Sequence, residues 1–198
     1  MNIHLIVEML YPYCKILNIL QKDKARLFQV THCFAYLYQF WNNYTADIQL
    51  SARIQVRLEK RWNDWEQPLL LLSCLLHPEY RMEQFKDNVN INYTTFGKWL
   101  KYYYRAWSGK DSTCILREFD DFHLGKYPFD NSTYKEFNGD IWRYWNFAKV
   151  STNELGLVAC TLFGICINAA SVERLWSCMG FLQTNRRNRL KVFNFFIL

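Results

Sequence analysis

The chain has 198 residues, of which 51% are hydrophobic, 18% aromatic and 21% charged, with a net charge of +6. That balance excludes an intrinsically disordered chain, and seven Gly and four Pro leave little sequence for long loops. The expectation is a mainly α fold with an aromatic-rich core.

Asn2 to Leu10 is apolar but carries His4 and Glu8, has no basic leader and ends in no small-residue cleavage site, which argues against a signal peptide. Leu5, Met9, Tyr13, Ile16 and Leu20 recur at helical spacing, as do Leu27, Val30, Phe34, Leu37 and Trp41. Pro12 either starts a new helix or kinks the first. In a third helix Leu50, Ile54, Leu58, Trp62 and Trp65 stripe one face. Arg53, Arg57, Glu59, Lys60, Arg61 and Asp64 cover the other, and Pro68 marks the end. The run from Leu69 to Leu76 falls short of the roughly 20 residues a bilayer requires and reads as a buried helix. Phe96, Trp99, Leu100, Tyr103 and Trp107 predict a helix closed near Gly109. A shorter one is predicted from Asp111 or Ser112 towards Phe122, stopping by Gly125.

The turn signals Pro128, Asp130 and Asn131 divide the chain into a helical region, 1–130, and a C-terminal region, 131–198. Thr133 to Glu136 and Ser151 to Glu154 read as capping boxes, the second opening a helix with Leu155, Val158, Ala159, Leu162 and Phe163. Ile165 to Ile167 has the length and composition of a short strand. Seven irregularly spaced cysteines form neither a disulfide framework nor a paired Cys-x-x-Cys zinc site, and the sequons at Asn43, Asn92 and Asn131 carry no weight without secretion. The expected compartment is intracellular.

The last thirty residues are the most specific. They read Asn168-Ala-Ala-Ser171-Val172-Glu173-Arg174-Leu175-Trp176-Ser177-Cys-Met179-Gly180 and, further on, Arg186-Arg187-Asn188-Arg189-Leu190. Ser171 is placed to cap a helix whose first turn holds Glu173, where a carboxylate suits the free N–H groups, and Gly180 supplies the stop. Val172, Leu175, Trp176 and Met179 form one apolar face. Residues 168–198 hold Arg174, Arg186, Arg187, Arg189 and Lys191 against Glu173 alone. Such a cluster either neutralises DNA phosphates without reading sequence or is a solvated basic loop.

This arrangement resembles the C-terminal signature of hAT (hobo–Activator) transposases: small residues, Ser-x-Glu-Arg-hydrophobic-aromatic-Ser, a Gly, then Arg-Asn-Arg-Leu. The resemblance implies a dimerisation region involving Val172, Leu175, Trp176, Met179 and Leu190, a homodimer or a related transposase as partner, and a nuclear location. It also implies the C-terminal part of a ribonuclease-H-like fold, with the earlier helices belonging to the helical insertion of that family. Glu173 matches the family's third metal-binding carboxylate. Phosphodiester chemistry in intact members uses magnesium, a pair of divalent ions about 4 Å apart held by several carboxylates. The other two are aspartates on strands, whereas Asp23, Asp47, Asp64, Asp87, Asp111, Asp120 and Asp121 lie in helical or loop-like sequence here. One carboxylate cannot assemble that site. The expectation is a truncated transposase remnant, not an enzyme by itself, that acts through dimerisation, holds no cofactor or metal and inserts in no membrane. The alternative is the C-terminal part of an active metal-dependent transposase whose Asp-bearing half lies elsewhere.

Leu75-Leu-His77-Pro78-Glu79-Tyr80-Arg81 is similar to the family's Leu-Asp-Pro-Arg-Tyr-Lys element, with His77 and Glu79 as departures. Cys74-Leu-Leu-His77 repeats a Cys-x-x-His pattern of active members, but in an apolar run beside a proline, where core packing is the better reading. Arg61-Trp62 resembles an Arg-Trp pair used near the DNA end, yet Trp62 falls on its helix stripe. Asp120 and Asp121 point about 100° apart on a helix and do not converge.

Overall fold

Apolar spacing and polar caps together set the helices. In the computed structural model, which describes residues 3–65, 67–82, 92–168, Glu173 and Ser177, the order is α1 (Ile3–Leu20), α2 (Leu27–Asn42), α3 (Ile48–Asn63), α4 (Gln67–Leu75), α5 (Tyr93–Ser108), α6 (Ile115–His123), α7 (Asn131–Glu136), α8 (Ile141–Ala148) and α9 (Asn153–Gly164). The fold is mainly helical, and the described residues include no strand. Ile165 to Ile167 accordingly leaves α9 as irregular chain, with no strand among the described residues to pair it.

Short acidic and amide side chains start several helices. Asp47 accepts from the Leu50 N–H at 2.8 Å, Asn92 from that of Thr95 at 2.9 Å and Asp140 from that of Arg143 at 3.1 Å. Gly109, at φ 70°, closes α5 in the left-handed conformation that costs glycine least. Pro12 lies inside a continuous α1 with its ring buried, and Pro68 belongs to the first turn of α4, where a missing N–H costs nothing.

Two apolar clusters result. The smaller holds α1, α2 and α3 together: Leu37, Trp41 and Tyr44 are its centre, with Met9, Tyr13, Ile16, Leu50, Ile54 and Leu58 around them. Trp41 is 1% exposed, and its indole N–H donates to the Tyr13 hydroxyl at 2.9 Å, so burial of the ring leaves no polar atom unpaired. The larger cluster joins Leu72, Leu75 and Leu76 of α4 with Phe96, Leu100, Phe119, Phe122, Tyr144, Trp145, Val158, Leu162 and Phe163. It draws on residues from both sides of position 130. Phe122, Phe129 and Trp145 pack ring on ring with centroids 5.3 to 5.7 Å apart, and the Trp145 N–H donates to the Leu76 carbonyl at 3.0 Å. Arg81, at φ 46°, gathers the Pro78, Phe122 and Phe129 carbonyls with one guanidinium.

Both predicted capping boxes are replaced by other partners. Asp130, not Thr133, caps α7, accepting from the Thr133 N–H at 2.9 Å and from its hydroxyl at 2.7 Å. Glu154 turns away from its own helix. Its carboxylate accepts the Thr113, Cys114 and Ile115 N–H groups at the start of α6, at 2.8, 2.9 and 2.7 Å. In return Glu118 of α6 accepts the Glu154 and Leu155 N–H groups at the start of α9, at 3.1 and 2.6 Å. Each helix thus carries the carboxylate that satisfies the other's free donors, and the two side chains are only 7% and 6% exposed.

Candidate functional site

The segment leading to the candidate site starts where α9 stops. Ile165 adopts an extended backbone, its N–H still bonded to the Leu162 carbonyl. Three residues on, the Asn168 side-chain amide donates to the carbonyls of Leu20, at 2.7 Å, and Lys22, at 3.1 Å. These belong to the C-terminal end of α1 and the turn after it, where carbonyls lack intrahelical partners. The chain is therefore pinned to α1 just before the Ser-x-Glu-Arg motif.

Glu173 and Ser177 are both helical and both exposed. The Ser177 hydroxyl donates to the Glu173 carbonyl at 2.8 Å, the one-turn contact of a serine inside a helix. Val172, Arg174, Leu175, Trp176, Met179, Arg186, Arg187, Arg189, Leu190 and Lys191 lie outside the described residues. Among the described residues no three His, Cys, Asp or Glu side chains gather as a metal site. An exposed carboxylate at Glu173 can accept hydrogen bonds from a cationic or N–H partner, but holding two ions requires further ligands.

Elsewhere the sequence coincidences separate cleanly. His77 is 4% exposed and stacks on Tyr80 with centroids 3.8 Å apart, while its Nδ1 accepts the Glu79 N–H at 3.2 Å. Burial, helped by the nearby His32, pushes its pKa down to about 4. The Cys74 thiol is buried and pushed up to about 11 by that burial, so it stays protonated and unreactive at neutral pH. Both are core residues. Trp62 packs on Phe34, centroids 5.3 Å apart, a packing role that matches its place on the helix stripe. Asp120 accepts from the Tyr93 hydroxyl at 3.5 Å and Asp121 pairs with Lys126 at 2.5 Å, so the adjacent aspartates serve different neighbours.

A second basic surface escaped sequence reasoning. Lys98, Lys101 and Arg105 follow one another at helical spacing along α5, and Lys110 and Arg117 extend the patch across to α6, all five exposed. Asp111 is the one acid between positions 98 and 117, paired with Arg105 at 3.5 Å. The exposed Tyr102 ring lies among these cations in sequence. The signal lies in the sequence as charges at intervals of three and four, on the helix face opposite the apolar stripe.

No family model, curated protein or solved structure matches this chain. The likeness to hAT transposases rests on the quoted residues alone.

Proposed function

We propose that these residues form the association module of a hAT-type transposase polypeptide, nuclear, without strand-transfer chemistry of their own, and with sequence-independent DNA contact as a secondary property. The observation that carries the reading is the pair Glu173 and Ser177, both helical, both exposed and joined by a hydrogen bond, set off from α9 by the pinned segment ending at Asn168. A helix with these two polar residues facing solvent has Val172, Leu175, Trp176 and Met179 at the spacing of an apolar face, which suits a partner rather than water. On this reading the helices before it correspond to the family's insertion and the C-terminal region to the edge of a ribonuclease-H-like fold. DNA contact is supported by the cations of the tail and by the patch of Lys98, Lys101, Arg105, Lys110 and Arg117.

Light scattering of the full chain across micromolar concentrations tests the reading, with Trp176→Glu as the disrupting variant. Concentration-dependent dimers weakened by Trp176→Glu are expected. A chain that stays monomeric throughout sinks the reading. For the DNA contact, Arg186→Ala, Arg187→Ala and Arg189→Ala combined should weaken binding to unrelated duplexes equally and lower the salt slope by roughly 0.9 per lost phosphate contact. Metal-dependent nicking that vanishes in Glu173→Gln would overturn the non-enzymatic part.

A further inference from the structure

α1 is apolar on two sides, and among the described residues its neighbours cover only one. Met9, Tyr13 and Ile16 pack on α2. On another side Ile3, Val7, Leu10, Cys14 and Leu17 recur at intervals of four, three, four and three residues. Ile3 is 77% exposed, Val7 60%, Leu10 54% and Leu17 52%, and Cys14 is exposed too. A helix apolar around most of its circumference is normally covered on all sides.

The spacing identifies what covers it. Intervals of four and three are the seam of a coiled coil, with Val7 and Cys14 at one apolar position of the heptad and Ile3, Leu10 and Leu17 at the other. Val7 at the first position with Leu10 and Leu17 at the second fits the pattern that favours two parallel strands, from which Ile3 and Cys14 depart. The exposed parts of the seam side chains with Tyr11 come to roughly 600 Å² per copy, so a symmetric pair buries at most roughly 1,200 Å², the lower edge of a specific interface. Packing on α2 has already ordered the helix, so association does not bear that cost. His4, Tyr11 and Asn18 flank the seam, and none of them is Asp, Glu, Lys or Arg, so identical helices meet without like-charge repulsion. By length and composition alone α1 would also suffice to cross a bilayer. Its attachment to α2 along one side and its Glu8 and Lys15 favour protein instead.

We propose that α1 pairs in parallel with the α1 of a second copy of this chain, each seam residue meeting its own counterpart. This contact is additional to the C-terminal association proposed above and independent of it. It places Cys14 beside the Cys14 of the second copy.

The test uses the full chain, sedimentation velocity across the micromolar range, and oxidation by copper phenanthroline in air. Introduced into the Trp176→Glu chain, so that association through α1 is read alone, Leu10→Glu combined with Leu17→Glu should raise the dissociation constant about 100-fold or more, because carboxylates would face each other across the seam. Far-UV circular dichroism should stay that of the parent, since both positions are exposed. Oxidation should give a disulfide-linked dimer that Cys14→Ser abolishes, and Trp176→Glu should leave that crosslink intact. The proposal is overturned by a Leu10→Glu, Leu17→Glu variant that associates as tightly as the parent, or by the absence of a Cys14-dependent dimer. Monomers that load onto phosphatidylcholine vesicles through α1, or association through α1 that emerges only when residues 192–198 are deleted, would overturn it as well. Association lost only in Trp176→Glu sinks this inference and spares the C-terminal reading; association lost only in the α1 variant does the reverse.

Discussion

Replacing Glu154 by alanine should be among the most damaging single changes in the chain. Its carboxylate takes three backbone N–H groups of α6 and the Thr113 hydroxyl, at 2.8 Å, at a position 6% exposed. An ordinary lost cap costs about 1 kcal/mol. Here three donors lose a charged acceptor together, and at about 1 kcal/mol or somewhat more for each the loss comes to about 3–4 kcal/mol. Against a typical total of about 5–15 kcal/mol, that is a large fraction of stability. Burial opposes ionisation of Glu154, but the bonds from Thr113, Cys114 and Ile115 outweigh it and hold its pKa below the ordinary 4.5. The folded pKa lies under the unfolded one, so the contribution is complete above about pH 4.5 and is lost as the pH falls through the folded value. Urea unfolding of parent and Glu154→Ala from neutral to acid pH measures both the size of the gap and its closure. A variant within about 1 kcal/mol of the parent at neutral pH, or a gap that persists undiminished into strong acid, would refute the reciprocal-cap argument.

His77 shifts stability in the same direction, although it is buried neutral rather than charged: its folded pKa of about 4 lies below the ordinary 6.5, so the unfolded chain binds the extra proton and stability falls as the pH drops from about 6.5 to about 4. His77→Phe should remove that slope, worth at most about 3 kcal/mol, and parallel pH curves for the two proteins in urea titrations would contradict it. Arg81→Lys keeps the charge but loses the fork that joins the Pro78, Phe122 and Phe129 carbonyls, and should lower stability by about 1–3 kcal/mol, read as a drop in melting temperature. A methyl group on Gly156 would lie 2.6 Å from the Lys149 backbone, so Gly156→Ala should destabilise by about 2 kcal/mol or more, whereas Gly164, with open space around it, should accept alanine at no loss. Equal melting temperatures for the two alanine variants would refute that contrast.

How much of this was legible depends on how local the deciding interaction is. The closure of α5 at Gly109 and the stripe of α3 were readable, because each depends on residues within a few positions. The core roles of Cys74 and His77 followed from their apolar surroundings. The capping box at Ser151 failed because the spacing was satisfied while the carboxylate had a better use: three converging donors 39 to 41 positions away outcompeted its own helix. No short-range pattern encodes such an exchange. The exposed seam of α1 was hidden for a related reason, since apolar residues all round a helix announce burial on every side, and only packing reveals which side is bare.

The Asn168 amide bridges 148 positions of sequence to close over the end of α1. Until residue 168 has been made and docked, water stands in for that amide at the Leu20 carbonyl, so the end of α1 is completed by a contact of very long sequence range. The two surfaces proposed for association hang from one joint. Any force that lifts α1 away from the body pulls at Asn168, five positions before Glu173.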